Sequence, residues 1–290
     1  MSLQAPVSKN NPLAGFMRQP KIYIKLPSGG IYWAPKSLEP TETGEFPVFS
    51  MTAKDELMFK TPDALLNGQA VVEVIQSCVP NIKNAWMIPT IDLDTILIAI
   101  RLATYGERMS FTTKIPVTNE DFEFDADLRQ LLDQQYNLIT WEEQISVNDD
   151  LTVYVRPLTY KHMTQVSIKS FETNRILNMV NDDSIADEKK LEIFNSSFAN
   201  LTQVTVDLLA DSIFKIAVQD TEVVDPRHIK EFIANADKDV FETIKKHIDK
   251  LKEQNTAKPF VIRTSPEQQA DGAPETFEIP INFNNSDFFG

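Results

Sequence analysis

The stretch IDLDTILIAIRLATYG, residues 91–106, is apolar on most sides of a 3.6-residue period, and its reading decides the fold. A surface helix would keep one polar face. This pattern instead predicts a helix buried in a core, opening at Thr90 and stopping at Gly106. Its apolar run, Ile96 to Ile100, is far too short to span a bilayer. Asp92 and Asp94 fall in the first turn, where carboxylates complement the helix dipole. Paired acids can also do acid/base work or hold a metal, so a metal-dependent hydrolase would bring Asp92, Asp94 and a histidine together. Arg101 sits inside the apolar surround, and a buried guanidinium needs a partner. Asp55 or Glu56, at the start of another helix, are the acids expected to form that structural ion pair.

Toward the N-terminus, Lys21 to Leu26 alternates in strand fashion, and Ile31-Tyr32-Trp33 is strand-like again. Pro27-Ser28-Gly29-Gly30 between them reads as a hairpin turn, because glycine takes positive φ without steric penalty. A phosphate cradle would need glycines spaced along a loop that opens a helix, and a strand pattern follows here instead. Phe46 to Phe49 predicts another short strand. Thr52 with Asp55 forms a capping box, Thr61-Pro62-Asp63 a second helix start ended by Asn67-Gly68, and Gln69 to Val79 a third helical piece closed by Pro80. Residues 1–20 carry little periodicity and read as an arm that orders on docking.

Downstream, MSFTTKIPVTN and LTVYVRPL are strand patterns around a mixed acidic stretch, EDFEFDADLRQLLDQQ. Three helical tracts follow: Tyr160 to Met179 capped by Thr159, Ile185 to about Ala217, and Asp225-Pro226 to near Leu251. In the second, Leu191, Phe194, Phe198, Leu201, Val204 and Leu208 recur at the three-four spacing of a packed seam. The C-terminal segment predicts two short strands around a Pro/Gly-rich loop, then the aromatic pair Phe288-Phe289, a tail that either folds back or docks on a partner. The fold class expected is α+β: an N-terminal β-hairpin plus helical block, a small β module, and a predominantly helical, bundle-like region. By residue number this gives a flexible arm over 1–20, an α+β domain over 21–108, and a β-rich module over 109–157 completed by 257–284. A helical region over 158–256 and a C-terminal β segment with aromatic tail over 257–290 complete it.

Composition narrows the function. With 42% hydrophobic and 24% charged residues the chain can build a core, and a formal charge of −14 argues against binding nucleic acid through its phosphates. No basic run exceeds Lys245-Lys246. Cys78 is the single cysteine, so no intrachain disulfide forms, no four-ligand zinc site can start from it, and a small core residue is its expected role. The opening MSLQAPVSKNNPLAG has no apolar core of signal-peptide length, which points to a soluble protein made and used in a cytoplasm, or exported by lysis rather than secretion, without membrane contact. His162, His228 and His247 lie on separate helical tracts, and no serine or cysteine stands in a dyad or elbow context. The expectation is no catalytic residue, no cofactor and no metal.

The ordered motifs LPSGGIYW (26–33), MTAKDELMFKTPDALLNGQAVVEVIQSCV (51–79) and IDLDTILIAIRLATYGERMSF (91–111) resemble the T4-type phage baseplate hub family, over about a third of the chain. Longer members carry paired cysteines after the YG helix; KIPVTNEDFEFD and VIRTSPEQQADG hold none, which removes any zinc prediction. The resemblance implies a non-enzymatic structural or chaperone-like assembly protein of the contractile-tail baseplate hub. Its partners would be hub components and other baseplate or tail proteins; a homo-oligomer is compatible with it. It would work in the host cytoplasm during assembly, with retention in the virion tail left open. The alternatives are a degenerate zinc-ribbon binding module and the metal-dependent hydrolase.

Overall fold

Alternation of Ile22 and Ile24 with outward residues makes a strand, and its partner lies more than twenty residues on. The computed structural model describes residues 12–13, 16–59, 68–136, 141–180, 187–256 and 258–279. Strand β1 (Pro20–Lys25) pairs antiparallel with β2 (Glu45–Phe49), with Ile24 opposite Phe46. Ile31 to Trp33 lie in turns and form no strand, which corrects the expected hairpin. Helix α1 (Ala53–Phe59) opens on the capping box: Asp55 Oδ2 accepts from the Thr52 backbone N–H at 2.8 Å, and Thr52 Oγ1 accepts from the Asp55 N–H at 3.2 Å. The expected helix from Thr61 falls outside the described residues. Gly68, read as its end, is the N-cap of α2 (Gln69–Cys78), with a left-handed φ of 75°.

Helix α3 (Thr90–Tyr105) is the core of this body: Ile91 to Thr95 except Asp94, and Ile96 to Ala103 except Arg101, are all buried. It packs with Ile24, Phe46, Val48, Phe59, Ile75, Cys78 and Ile82 in one cluster. Apolar residues all round a helix are stable only where every side meets another element.

The tract after Gly106 divides. Strands β3 (Arg108–Lys114) and β4 (Asp121–Asp127) form a hairpin, followed by α4 (Leu128–Gln135), which Asp127 caps by accepting from the Arg129 and Gln130 N–H groups. The acidic stretch is therefore a strand with Phe122, Phe124 and Ala126 inward, and then a helix. Strands β5 (Gln144–Ser146) and β6 (Leu151–Val155) join a different sheet. Helices α5 (Tyr160–Val180) and α6 (Asp187–Asp211) make an antiparallel hairpin, and α6 is about 37 Å long at 1.5 Å per residue. The helix expected to reach Ala217 stops at Asp211. Ile213, Ile216 and Val218 are β-branched, and β7 (Ile213–Val218) pairs with β6 while β8 (Thr221–Val223) closes the four-stranded antiparallel sheet in the order β5-β6-β7-β8. A register shift beside Tyr154 leaves Phe214 as the extra residue, so both Ile213 and Ile216 turn to the core.

One face of that sheet is covered by α7 (Pro226–Asn235) and α8 (Lys238–Gln254), through Ile229, Ile233, Ile244, Ile248 and Leu251. The single helical tract expected there is thus two helices. Strand β9 (Phe260–Arg263), the short α9 (Pro266–Ala270) and β10 (Thr276–Ile279) form a second hairpin. It packs on β3–β4 through Ile115, Ile262, Phe277, Phe122 and Phe124. The β segments expected to form one module thus fall in two places: β3–β4 pack with β9–β10, whereas β5–β6 pair in a sheet with β7–β8 from the tract read as helical. The architecture is α+β.

Candidate functional site

The PSGG turn is held from a distance by the buried helix. Asp92 in the first turn of α3 is fully buried. Its Oδ1 accepts from the Ser28 backbone N–H at 2.8 Å, and its Oδ2 accepts from Ser28 Oγ at 2.5 Å and from Trp33 Nε1 at 2.7 Å. Ser28 Oγ also accepts from the Gly30 N–H at 3.0 Å. Gly29 and Gly30 take φ of 61° and 83°, so the chain turns left-handed at two successive residues, a conformation that glycine adopts without the backbone strain a Cβ brings. Drawing Ser28 and Trp33 to one carboxylate bends residues 28–33 around the helix N-terminus, which is why Ile31 to Trp33 cannot run back along β1. Burial pushes the Asp92 carboxyl above its usual range, against the three hydrogen bonds that favour the anion. Both its oxygens are occupied by groups of the fold. Asp94 lines a cleft of 470 Å³ between α3, α5, α6 and α8, with Leu93, Leu97, Trp141, Arg156 and Lys252 in its walls.

The expected ion pair of Arg101 with Asp55 or Glu56 does not form. Asp55 instead meets Thr52, accepts from Ser77 Oγ at 3.0 Å, and faces Arg18 Nη1 at 3.7 Å. Glu56 hydrogen-bonds the Tyr105 hydroxyl, and burial together with that carboxylate raises the phenol. Arg101 lies half-buried with its guanidinium 4.2 Å over the Tyr105 ring, and its Nε and Nη1 are buried without a hydrogen-bond partner among the described residues. Desolvation lowers its pKa. The acids nearest in the sequence pattern were already engaged. Arg18, which the sequence did not single out, does the clamping: Nη1 donates to Ser50 O and Nη2 to Ser77 O, each at 2.6 Å. Two carbonyls from separate elements are thereby fixed beside β1, so the end of the expected arm is docked.

Cys78 is buried, and burial with the nearby Asp55 charge pushes its thiol up to about 12. The histidines do not converge. His162 Nδ1 accepts from the Thr159 N–H at the start of α5, with Asp211 4.0 Å from its Nε2, and burial lowers its pKa. His247 Nε2 lies 3.0 Å from Glu142 O. Among the described residues no group of three or more His, Cys, Asp or Glu could hold a metal ion, and no helix is long and apolar enough to cross a membrane. Phe288 and Phe289 lie outside the described residues.

The seam expected along α6 is split. Ser197 and Val204 face the hairpin interior, whereas Leu191, Phe194 and Phe198 are 62%, 54% and 66% exposed. The three-four spacing was legible, but at Leu191, Phe194 and Phe198 it marks a face that no described residue covers, while Leu201 and Leu208 are half-buried.

No curated protein and no solved structure shows a significant match. A family model described as T4 bacteriophage base plate protein matches residues 19–269, spanning β1, the Asp92-held turn, α3 and everything up to α9. The chain belongs to the T4 bacteriophage base plate protein family.

Proposed function

We propose that the chain is a non-enzymatic structural or assembly component of the baseplate hub of a contractile tail, acting by shape and contact. The observation that carries this reading is Asp92: the fully buried carboxylate of the central helix has its oxygens taken up by Ser28 and Trp33. Asp55 is engaged likewise by Thr52, Ser77 and Arg18. Polar groups at such places hold a rigid body together, and a rigid body is what a docking part needs.

Exposed apolar side chains supply contact surface. Phe16, Tyr23, Ile31 and Leu57 project from the N-terminal body and Phe171 from α5. The net charge of −14 disfavours phosphate backbones and suits partners that are basic or apolar, such as other hub proteins. The work would be done in the host cytoplasm as the hub forms. Mass spectrometry of purified particles and of hub intermediates from infected cells tests this. The chain is expected at a fixed ratio to hub proteins in the intermediates. Its absence from every intermediate and every particle overturns the reading.

A further inference from the structure

We propose that the α5–α6 hairpin is a self-association element, in which α6 pairs antiparallel with α6 of a second copy across a twofold axis at Phe198. Leu191, Phe194, Phe198, Leu201 and Thr205 recur at three-four spacing, so they form one stripe along the helix. Leu191, Phe194 and Phe198 are exposed and Leu201 is half-buried. The stripe continues as apolar surface toward the C-terminus because its threonines turn their hydroxyls inward. Thr202 Oγ1 donates to Phe198 O at 3.0 Å and Thr205 Oγ1 to Leu201 O at 3.1 Å, which leaves the methyl groups outward.

The occupant follows from size and charge. The stripe is bulkier at its N-terminal half, Leu191 and Phe194, than at its C-terminal half, Leu201 and Thr205. Antiparallel pairing about Phe198 sets Leu191 opposite Thr205, Phe194 opposite Thr202 beside the stripe, and Leu201 opposite Asn195 of the other copy, each a larger side chain against a smaller one, with the two Phe198 rings meeting at the axis. An isologous contact requires this kind of self-complementarity. Ile193 to Val206 carries no charged residue at all, in a chain whose composition is 24% charged. Two copies each bearing −14 meet least repulsion where charges are missing, and this run is nearly centred on Phe198. The inference does not rest on the baseplate reading: a monomeric hub protein and a dimer with another role are separately observable.

Light scattering on the full chain over a range of concentrations is expected to show a dimer, and Phe194→Glu to weaken it by about a hundredfold. Register is read by cysteine crosslinking, for which Cys78 stays silent because it is buried. Phe198→Cys is expected to crosslink to itself. Leu191→Cys is expected to crosslink with Thr205→Cys and not with itself. A chain that stays monomeric at all concentrations overturns the proposal. So does a dimer in which Leu191→Cys pairs with itself, or one that Phe194→Glu leaves unchanged.

Discussion

Replacing Asp92 by asparagine probes the bond between the PSGG turn and the central helix. The amide keeps the shape but exchanges one acceptor oxygen for an NH2 group. Asp92 receives two N–H donors on different oxygens, Ser28 N at 2.8 Å and Trp33 Nε1 at 2.7 Å. Whichever way the amide is turned, one of them faces another donor. An orphaned buried donor costs about 1–3 kcal/mol, and relief of the carboxylate's desolvation offsets part of that. The expected net loss is about 2 kcal/mol, or about 4–8 °C in melting temperature for a domain of roughly 150–250 residues. Thermal unfolding followed by circular dichroism measures it. A cycle with Trp33→Phe isolates the cause, because removing the indole N–H lets the amide turn toward Ser28. The double variant should lose about 1 kcal/mol less than the sum of the singles.

The pH dependence has a definite sign. Burial raises the folded-state pKa of Asp92, so its protonated form is favoured by folding. That contribution is complete below the unfolded pKa and is lost as pH rises through the folded one. The advantage of wild type over Asp92→Asn should therefore narrow as pH rises. An Asp92→Asn protein melting within about 1 °C of wild type, or an additive cycle, would refute the reasoning.

Arg101→Met keeps the apolar stem and removes two buried nitrogens that have no hydrogen-bond partner among the described residues, so stability should hold or rise by up to about 1 kcal/mol; a loss above about 2 kcal/mol in urea unfolding would mean the guanidinium is paired. Arg18→Ala should cost about 2 kcal/mol by uncoupling Ser50 O and Ser77 O, with Arg18→Lys recovering less than half because an ammonium cannot fork between them; equal stability of the two variants contradicts the clamp. Gly68→Ala should destabilise by more than about 1 kcal/mol, since φ is 75° and a Cβ would stand 3.0 Å from the Thr164 side chain; a stabilised variant in the same assay would contradict that contact.

Local pattern made some of this legible. Helix α3 was readable because its apolar residues leave no polar face, and α1 because Thr52 and Asp55 stand at capping-box spacing. Strand β7 was not, since IFKIAV follows α6 with only Ser212 between and no glycine or proline to mark the break. In β4 the alternation of Phe122, Phe124 and Ala126 was masked by acids at every intervening position. The candidate site was harder. Ser28 and Asp92 are 64 residues apart, and Arg18 reaches Ser77 from a segment without periodicity. Periodicity reports which face a helix buries, and it cannot tell a neighbour in the same chain from one in another molecule. For that reason the stripe on α6 reads as an internal seam in the sequence, although Leu191, Phe194 and Phe198 are exposed.

The most direct test of the central claim is the stoichiometry of the requirement. Purified chain is titrated into extract from cells infected with a phage that cannot make it, and completed tails are counted. A structural or docking part predicts a yield that rises in proportion to the chain supplied, until it matches the number of hubs. A yield of completed tails that does not depend on the chain supplied would contradict the account.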